Sequence, residues 1–244
     1  MKGAFFQKPL EFALTVKGES WNQDAAVEGS LTVRNHGGTD ISSQGAVVLL
    51  AQIDRKKTVR VIARMPFHPA SLVPAGGSAP FDWHFQLDLN SPITDSNSSL
   101  FLIYGFEGDT HSMGHLQLPV LPHPLIQEFL GTLETEFRFS VKSKKSVKGR
   151  TEVKLAPPDS KSFALVDSLI LSFKLEANFL ELEYLFQVRR LDATATTFGA
   201  TKQNKAVTQK LFRGDQIRES GRLDQEKVEK LIREATALVE SKIF

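Results

Sequence analysis

Apolar and polar residues alternate with a period of two along most of this chain, and the alternation is interrupted at recognisable turn signals. Phe12, Leu14 and Val16 alternate with Ala13, Thr15 and Lys17. The stretch Gly18–Gln23 breaks the pattern. Val27, Gly29, Leu31 and Val33 then alternate with Glu28, Ser30, Thr32 and Arg34, and the pair Gly37-Gly38 closes that strand. Val47, Leu49, Ala51 and Ile53 form the next one. Val48 and Leu50 lie between them, so this strand is expected to be covered on both faces. Asp54-Arg-Lys-Lys57 is a charged turn, and Val59, Val61 and Ala63 lead back out. A connection from Met65 to Pro80 holds four prolines and the pair Gly76-Gly77. After it comes the cleanest stripe in the chain: Phe81, Trp83, Phe85, Leu87 and Leu89 inward, Asp82, His84, Gln86 and Asp88 outward. Leu100 to Phe106 is nearly continuous apolar sequence, and Leu116, Leu118 and Val120 finish the series. About seven strands with turns every ~8–12 residues predict a β-sandwich.

Pro119, Pro122 and Pro124 fall within the run Leu116–Pro124 and predict a stiff, extended connector. The period then changes. Leu125, Ile126, Phe129, Leu130 and Leu133 have helical spacing, with Pro124 suited to the first helical position. Phe137, Phe139 and Val141 resume the alternation, Lys142–Arg150 is expected to be a basic loop, and Val153 and Leu155 follow it. Between Leu165 and Arg190 the pattern specifies a register. Leu169, Leu171, Phe173 and Leu175 are odd-numbered, whereas Leu180, Leu182, Tyr184, Phe186 and Val188 are even-numbered. A hairpin around Ala177-Asn178 sets Leu175 opposite Leu180, Phe173 opposite Leu182 and Leu171 opposite Tyr184. On the other face it sets Lys174 opposite Glu181. A slip by one residue would bring Phe173 against Glu181 and bury charge. A two-residue and a four-residue loop fit this register equally. Ala193–Arg213 alternates weakly, with Val207, Leu211 and Phe212 placed on a last strand. Residues 224–243 read as an amphipathic helix capped by Asp224, with Val228, Leu231, Ile232, Ala235, Leu238, Val239 and Ile243 on its apolar face.

The fold expected is therefore mainly β: two tandem antiparallel β-sandwiches with a short linker helix and a C-terminal amphipathic helix. The divisions are an N-terminal sandwich over residues 1–119, linker and helix over 120–133, a second sandwich over 134–215 and the tail helix over 216–244. A chain of 244 residues with 41% apolar and 24% charged residues is globular rather than disordered. With no cysteine it has neither disulfide, nor thiolate nucleophile, nor thiolate-bound zinc, which suits a reducing compartment. No signal peptide or membrane-spanning run is read, so a cytoplasmic protein is expected. The net charge of +2 argues against nucleic acid as the main partner.

No phosphate loop, dinucleotide fingerprint or His-Glu-x-x-His is present, and no serine sits in a nucleophile elbow. Asn35-His-Gly-Gly38 is better read as a strand-ending turn than as an oxyanion loop. His111 and His115 would converge on a metal only if they lay on a helix, and Gly108 and Gly114 argue for a loop there. His84 falls on an outward position and His68 between prolines. No catalytic, cofactor or metal residue is assigned. Residues for binding another protein are Arg55, Lys56 and Lys57 in the first charged turn, Lys142, Lys144 and Lys145 in the basic loop, and Leu231 and Leu238 on the tail helix. Solvated hairpin tips and a helix packed on its own sandwich are the competing readings, and self-association through the tail helix is a third.

Val27-Glu-Gly-Ser-Leu-Thr-Val33 resembles the Val-x-Gly-x-Leu-x-Val strand near the start of the arrestin-like fold. Pro80-Phe-Asp-Trp-His-Phe-Gln-Leu87, with Ser91-Pro-Ile-Thr94 after it, is similar to the later strand and loop of the bacterial sporulation-control branch of that fold (stage-zero sporulation protein M). That branch also places a short helix soon after the linker, like His123–Leu133. The likeness covers most of residues 9–190. Gly18–Ala26 departs from it, since the family more often shows a Pro-Gly pair there, and the amphipathic tail is not matched to it. The resemblance implies a non-enzymatic adaptor or scaffold that binds protein segments at strand edges or in a groove between sandwiches. A ligand- or carbohydrate-binding β-sandwich is the alternative, and it would require exposed Trp or Tyr platforms.

Overall fold

The structure is a computed structural model, and it describes residues 1–67, 72–194 and 197–239, with backbone alone at 190–194 and 197–201. His68 and Ile243 lie outside the described residues. The chain divides into two compact units, Met1–Leu121 and Pro122–Phe244. In chain order the first holds β1 (Lys2–Gln7), β2 (Leu10–Val16), β3 (Trp21–Asn22), β4 (Ala26–Asn35), β5 (Ile41–Ser42), β6 (Ala46–Asp54), β7 (Val59–Pro66), β8 (Leu72–Val73), β9 (Ser78–Gln86), β10 (Ser98–Phe106), β11 (Gly114–Leu118) and β12 (Val120–Leu121). The second holds helix α1 (Pro124–Thr135), β13 (Ser140–Val147), β14 (Arg150–Ala156), β15 (Val166–Leu175), β16 (Phe179–Thr194), β17 (Thr197–Phe212) and helix α2 (Gln225–Ala237).

Two four-stranded antiparallel sheets, β1-β2-β4-β9 and β11-β10-β6-β7, enclose the core of the first unit. Every inward position expected on β2 and β4 is buried, from Phe12 to Val33. The close approach that organises this core occurs at Gly29. It pairs with Trp83 across β4 and β9, and a methyl group there would lie 2.7 Å from Trp83 Cζ2 and collide with the Thr15 carbonyl oxygen. Only glycine lets the indole lie over the strand, which explains the glycine inside an otherwise β-branched and leucine-rich run. Strand β6 is buried on both faces, as its continuous apolar sequence predicts. Ala46, Val48 and Leu50 enter the main core, while Val47, Leu49 and Ala51 form a second cluster with Ile103 and Met113.

The proline-bearing connector is extended, as expected, and it is also stitched into the first unit. Strand β12 pairs in parallel with β3, Trp21 N–H donates to Pro119 O at 3.0 Å, and Thr94 N–H donates to Val120 O at 2.8 Å. Trp21 is buried by this pairing instead of lying in an open loop. Both tryptophans and both tyrosines are therefore interior residues.

In the second unit the five strands run in sequence order, β13-β14-β15-β16-β17, as an antiparallel meander. The register expected from the odd and even stripes is the observed one: Leu175 opposite Leu180, Phe173 opposite Leu182, Leu171 opposite Tyr184 and Lys174 opposite Glu181. The loop is the two-residue form, since Glu176 N–H donates to Phe179 O at 2.9 Å. All nine stripe residues from Leu169 to Val188 are buried. The mainly β fold with two helices is as expected, with one difference. The layer over this stripe consists of helices, whereas two packed sheets were anticipated. Helix α1 is capped by the His123 ring, whose Nδ1 accepts from Leu125 N–H at 3.2 Å, and Pro124 occupies its first position. Its Phe129 ring stands edge-on to Phe173 at 5.6 Å. Helix α2, capped by Asp224, buries Val228, Ile232 and Ala235. It ends at Ala237, earlier than the expected residue 243.

Replacing Gly29 by Ala is expected to lower stability by about 2–4 kcal/mol, because neither the Thr15 backbone nor the buried indole can retreat. Gly38, around which a methyl group would meet nothing within 4 Å, serves as the control. Its Ala variant is expected to stay within ~0.5 kcal/mol of the parent in urea unfolding.

Candidate functional site

The residues singled out in the sequence fall in four stretches of the chain, two in each unit. Arg55, Lys56 and Lys57 form the tip between β6 and β7. Asp54 Oδ1 accepts from Lys56 N–H at 2.8 Å and Thr58 N–H at 2.9 Å, and these bonds hold the Asp54 carboxyl below its ordinary range. Lys57 takes φ +63° to close the turn. Leu231 is half-buried on α2, and Leu238 is 59% exposed just past its end.

Lys142, Lys144 and Lys145 require a correction. Residues 142–150 are not a loop. They belong to the hairpin β13–β14, whose turn is only Lys148-Gly149, both with positive φ. This is the backbone of a tight two-residue turn with glycine second. The basic composition disguised a strand because β13 is an edge, where lysines discourage unwanted pairing. Lys142 is the extra residue at a bulge between Val141 and Ser143. Lys144 stands opposite the buried Val153, so a charge lies on the inner side of the edge. Lys145 pairs with Glu152 at 2.9 Å.

His115 Nε2 lies 2.7 Å from the Thr110 carbonyl, while His111 sits in a short 3-10 turn and its backbone N–H donates to Asp109 Oδ1 at 3.1 Å. Among the described residues no group of three or more His, Asp and Glu could hold a metal ion.

The sheet edges differ in what they offer. Strands β1 and β11 have only six and five residues. Strand β9 carries Pro80, and β7 is bulged at Ile62 and ends at Pro66. Strand β13 is bulged and rich in lysine. Strand β17 is different: it has 16 residues, pairs with β16 without a register shift, and has no strand on its other side among the described residues. The direction of its backbone groups follows from its end. Phe212 N–H donates to Gln216 Oε1 at 3.1 Å and Phe212 O accepts from Ile217 N–H, while Arg213 N–H turns back to Asn178 O at 2.9 Å. Phe212 thus faces away from β16, and by the period of two so do Lys202, Asn204, Ala206, Thr208 and Lys210.

The odd-numbered side chains of β17 from Gln203 to Leu211 face inward, and two of them serve helix α2. Lys205 Nζ donates to Leu238 O at 3.2 Å, and Gln209 Nε2 donates to Leu231 O at 3.0 Å. Polar residues on the inner face weaken the signal of this strand in the sequence, which shows alternation only at Val207 and Leu211. Its charge is one-sided, since Lys202, Lys205, Lys210 and Arg213 fall between Ala193 and Gly214 with no Asp or Glu. Lys210 lies 4.6 Å above the Phe179 ring and 3.9 Å from Glu181, and Lys202 lies 3.9 Å from Asp167.

Behind that edge Glu181 is the hub of the outer face. Arg150 Nη2 donates to its Oε1 at 2.5 Å and, with help from Lys210 and Lys174, holds its pKa below the ordinary 4.5. Lys174, although opposite Glu181, is bonded to Glu176 at 2.6 Å.

The fold so assembled is mainly β, with antiparallel sheets and two helices. Among solved structures the chain is similar to Spo0M, the sporulation control protein from Bacillus subtilis, with a TM-score of 0.65 and 16% sequence identity over 94% of this chain and 98% of that one. At that identity the likeness establishes a shared fold. Two β-glucosidases, from Erythrobacter marinus and Listeria innocua, match 44% and 49% of this chain but 15% and 17% of their own, with identities of 12% and 10%. Their TM-scores of 0.31 and 0.33 carry no argument about fold or activity. No protein-family model and no curated protein sequence matches the chain.

Because the folded pKa of Glu181 is depressed, its pairing with Arg150 stabilises fully above about pH 4.5 and is lost as pH falls through the depressed value. Arg150→Met is expected to be about 1 kcal/mol less stable than the parent at neutral pH. The gap should narrow as pH falls below 4.5, as read from urea midpoints across that range.

Proposed function

We propose that this protein is a non-enzymatic regulatory adaptor that captures extended, acidic protein segments by adding them as a sixth strand beside β17. The observation that carries the reading is the outward row of backbone groups at Lys202, Asn204, Ala206, Thr208 and Lys210 on a long, unbulged edge. Strand addition needs such a row for affinity and alternate side chains for specificity. The lysines serve both purposes. Two copies of β17 laid edge to edge would bring like charges together, so the strand rejects its own kind, while an acidic segment would satisfy it.

An arrestin-like fold shared with a sporulation control protein supports a regulatory setting, and the cysteine-free sequence suits the cytoplasm. Among the described residues no helix is long and apolar enough to cross a membrane. The alternative of a carbohydrate-binding module is disfavoured by the burial of Trp21, Trp83, Tyr104 and Tyr184, which leaves no tryptophan or tyrosine platform.

The test is fluorescence anisotropy with a labelled ten-residue peptide of alternating Glu and Val. Saturable binding is expected, and the charge-reversed variant Lys202→Glu/Lys210→Glu should weaken it about tenfold or more. Thr208→Pro removes one outward N–H while leaving the β16–β17 ladder intact, and should weaken binding comparably. Absence of binding, binding indifferent to both variants, or tighter binding of a single-stranded oligonucleotide would each contradict the proposal.

A further inference from the structure

The turn between β1 and β2 and the end of β4 border an open hollow of about 420 Å³ lined by Phe6, Lys8, Pro9, Leu10 and His36. Its volume lies in the range of small-molecule sites, roughly 300–1,000 Å³, and it shares their composition, mostly carbon with few polar groups. Phe6 is 63% exposed, an unusual position for a large aromatic side chain, and its ring stacks on that of His36 at 6.4 Å and 28°.

The walls are fixed. His36 N–H donates to Pro9 O at 3.0 Å, tying the strand end to the turn. Behind it Asn35 is buried, donating from Nδ2 to Thr39 O at 2.8 Å and Val73 O at 3.1 Å and accepting at Oδ1 from Gly37 N–H at 2.8 Å. The hollow thus exists without a ligand to shape it.

Charge at the rim is unequal. Both oxygens of Glu11 are engaged, one by Arg34 Nη1 at 3.3 Å and the other by His36 Nε2 at 2.9 Å. Lys8 has no acidic partner among the described residues. An apolar hollow beside one uncompensated ammonium is complementary to a molecule with a compact apolar body and a single carboxylate. We infer that this hollow binds a free small amphipathic acid, its aromatic or short aliphatic body against Phe6, Pro9 and Leu10 and its carboxylate on Lys8. The site belongs to the first unit and does not rest on the adaptor reading.

The experiment is titration of the ¹⁵N-labelled full chain with phenylacetate, hexanoate, neutral phenylacetamide and cationic phenethylamine, followed by amide chemical shifts. Shifts from the two acids should concentrate at residues 6–10 and 35–37. Phenylacetate should bind about tenfold more tightly than phenylacetamide, and Lys8→Gln should abolish that preference while leaving the amide's affinity unchanged. Phe6→Ala should weaken both. Several results would overturn the inference: no shift at these amides with millimolar acid, equal affinity for acid and amide, or preference for the amine. A peptide ending in phenylalanine that bound more tightly than phenylacetate would assign the hollow to a chain terminus and also overturn it.

Discussion

The inner face of the second unit's sheet carries Leu169, Leu171, Phe173, Leu175, Leu180, Leu182, Tyr184 and Phe186, all but free of water. A stripe of that size must be covered, and what covers it decides the rest of the unit. Helix α1 meets the middle of the sheet through Phe129 against Phe173. Helix α2 lies by β17, where Gln209 and Lys205 reach its carbonyls. The two helices are locked together at Glu128, whose carboxylate accepts from Arg222 Nε at 3.0 Å and Leu223 N–H at 3.1 Å, and at Thr132, bonded to Gln225 at 2.8 Å.

That arrangement makes the outer edge of β17 available. The inward residues of the strand are committed to α2, so its exposed features are the even-numbered backbone groups and the lysines among them. Other edges of the molecule are shortened, bulged or interrupted by proline, the ordinary means of preventing sheets from joining. An unbulged edge of 16 residues stands out against them, and its positive charge restricts what can pair with it. The apolar face of α2, which taken alone suggested a docking helix, is occupied by its own unit through Val228, Ile232, Ala235 and Val239.

Much of this was legible in the chain because side-chain burial and backbone period agree. The hairpin register from Leu169 to Val188 followed from the odd and even stripes, since a slip by one residue would bury Glu181. The start of α1 at Pro124 and the cap of α2 at Asp224 followed from helix-end chemistry, whereas the His123 cap did not show in the sequence. Where burial and period disagree, sequence reasoning failed for identifiable reasons. Lys142–Val147 is an edge strand, so its charges resemble a loop. The inner face of β17 is polar because Lys205 and Gln209 satisfy helix carbonyls, so its alternation vanishes. The burial of Trp21 depends on a two-residue parallel pairing with Val120-Leu121, a contact across about a hundred residues that no local pattern encodes. The hollow at Phe6 and His36 likewise joins a turn to a distant strand end.

The central claim is that α2 is a structural cover for the β16–β17 ribbon. Hydrogen exchange on two variants of the full chain tests it most directly. Ile232 is fully buried on α2, whereas Leu238 is 59% exposed at its end. The account predicts that Ile232→Asp strips protection from the amides of β16 and β17 while leaving β2 and β4 unchanged, and that Leu238→Asp alters neither. Unchanged protection in the Ile232→Asp chain would mean that the helix does not hold the ribbon, and the account of the second unit would fail.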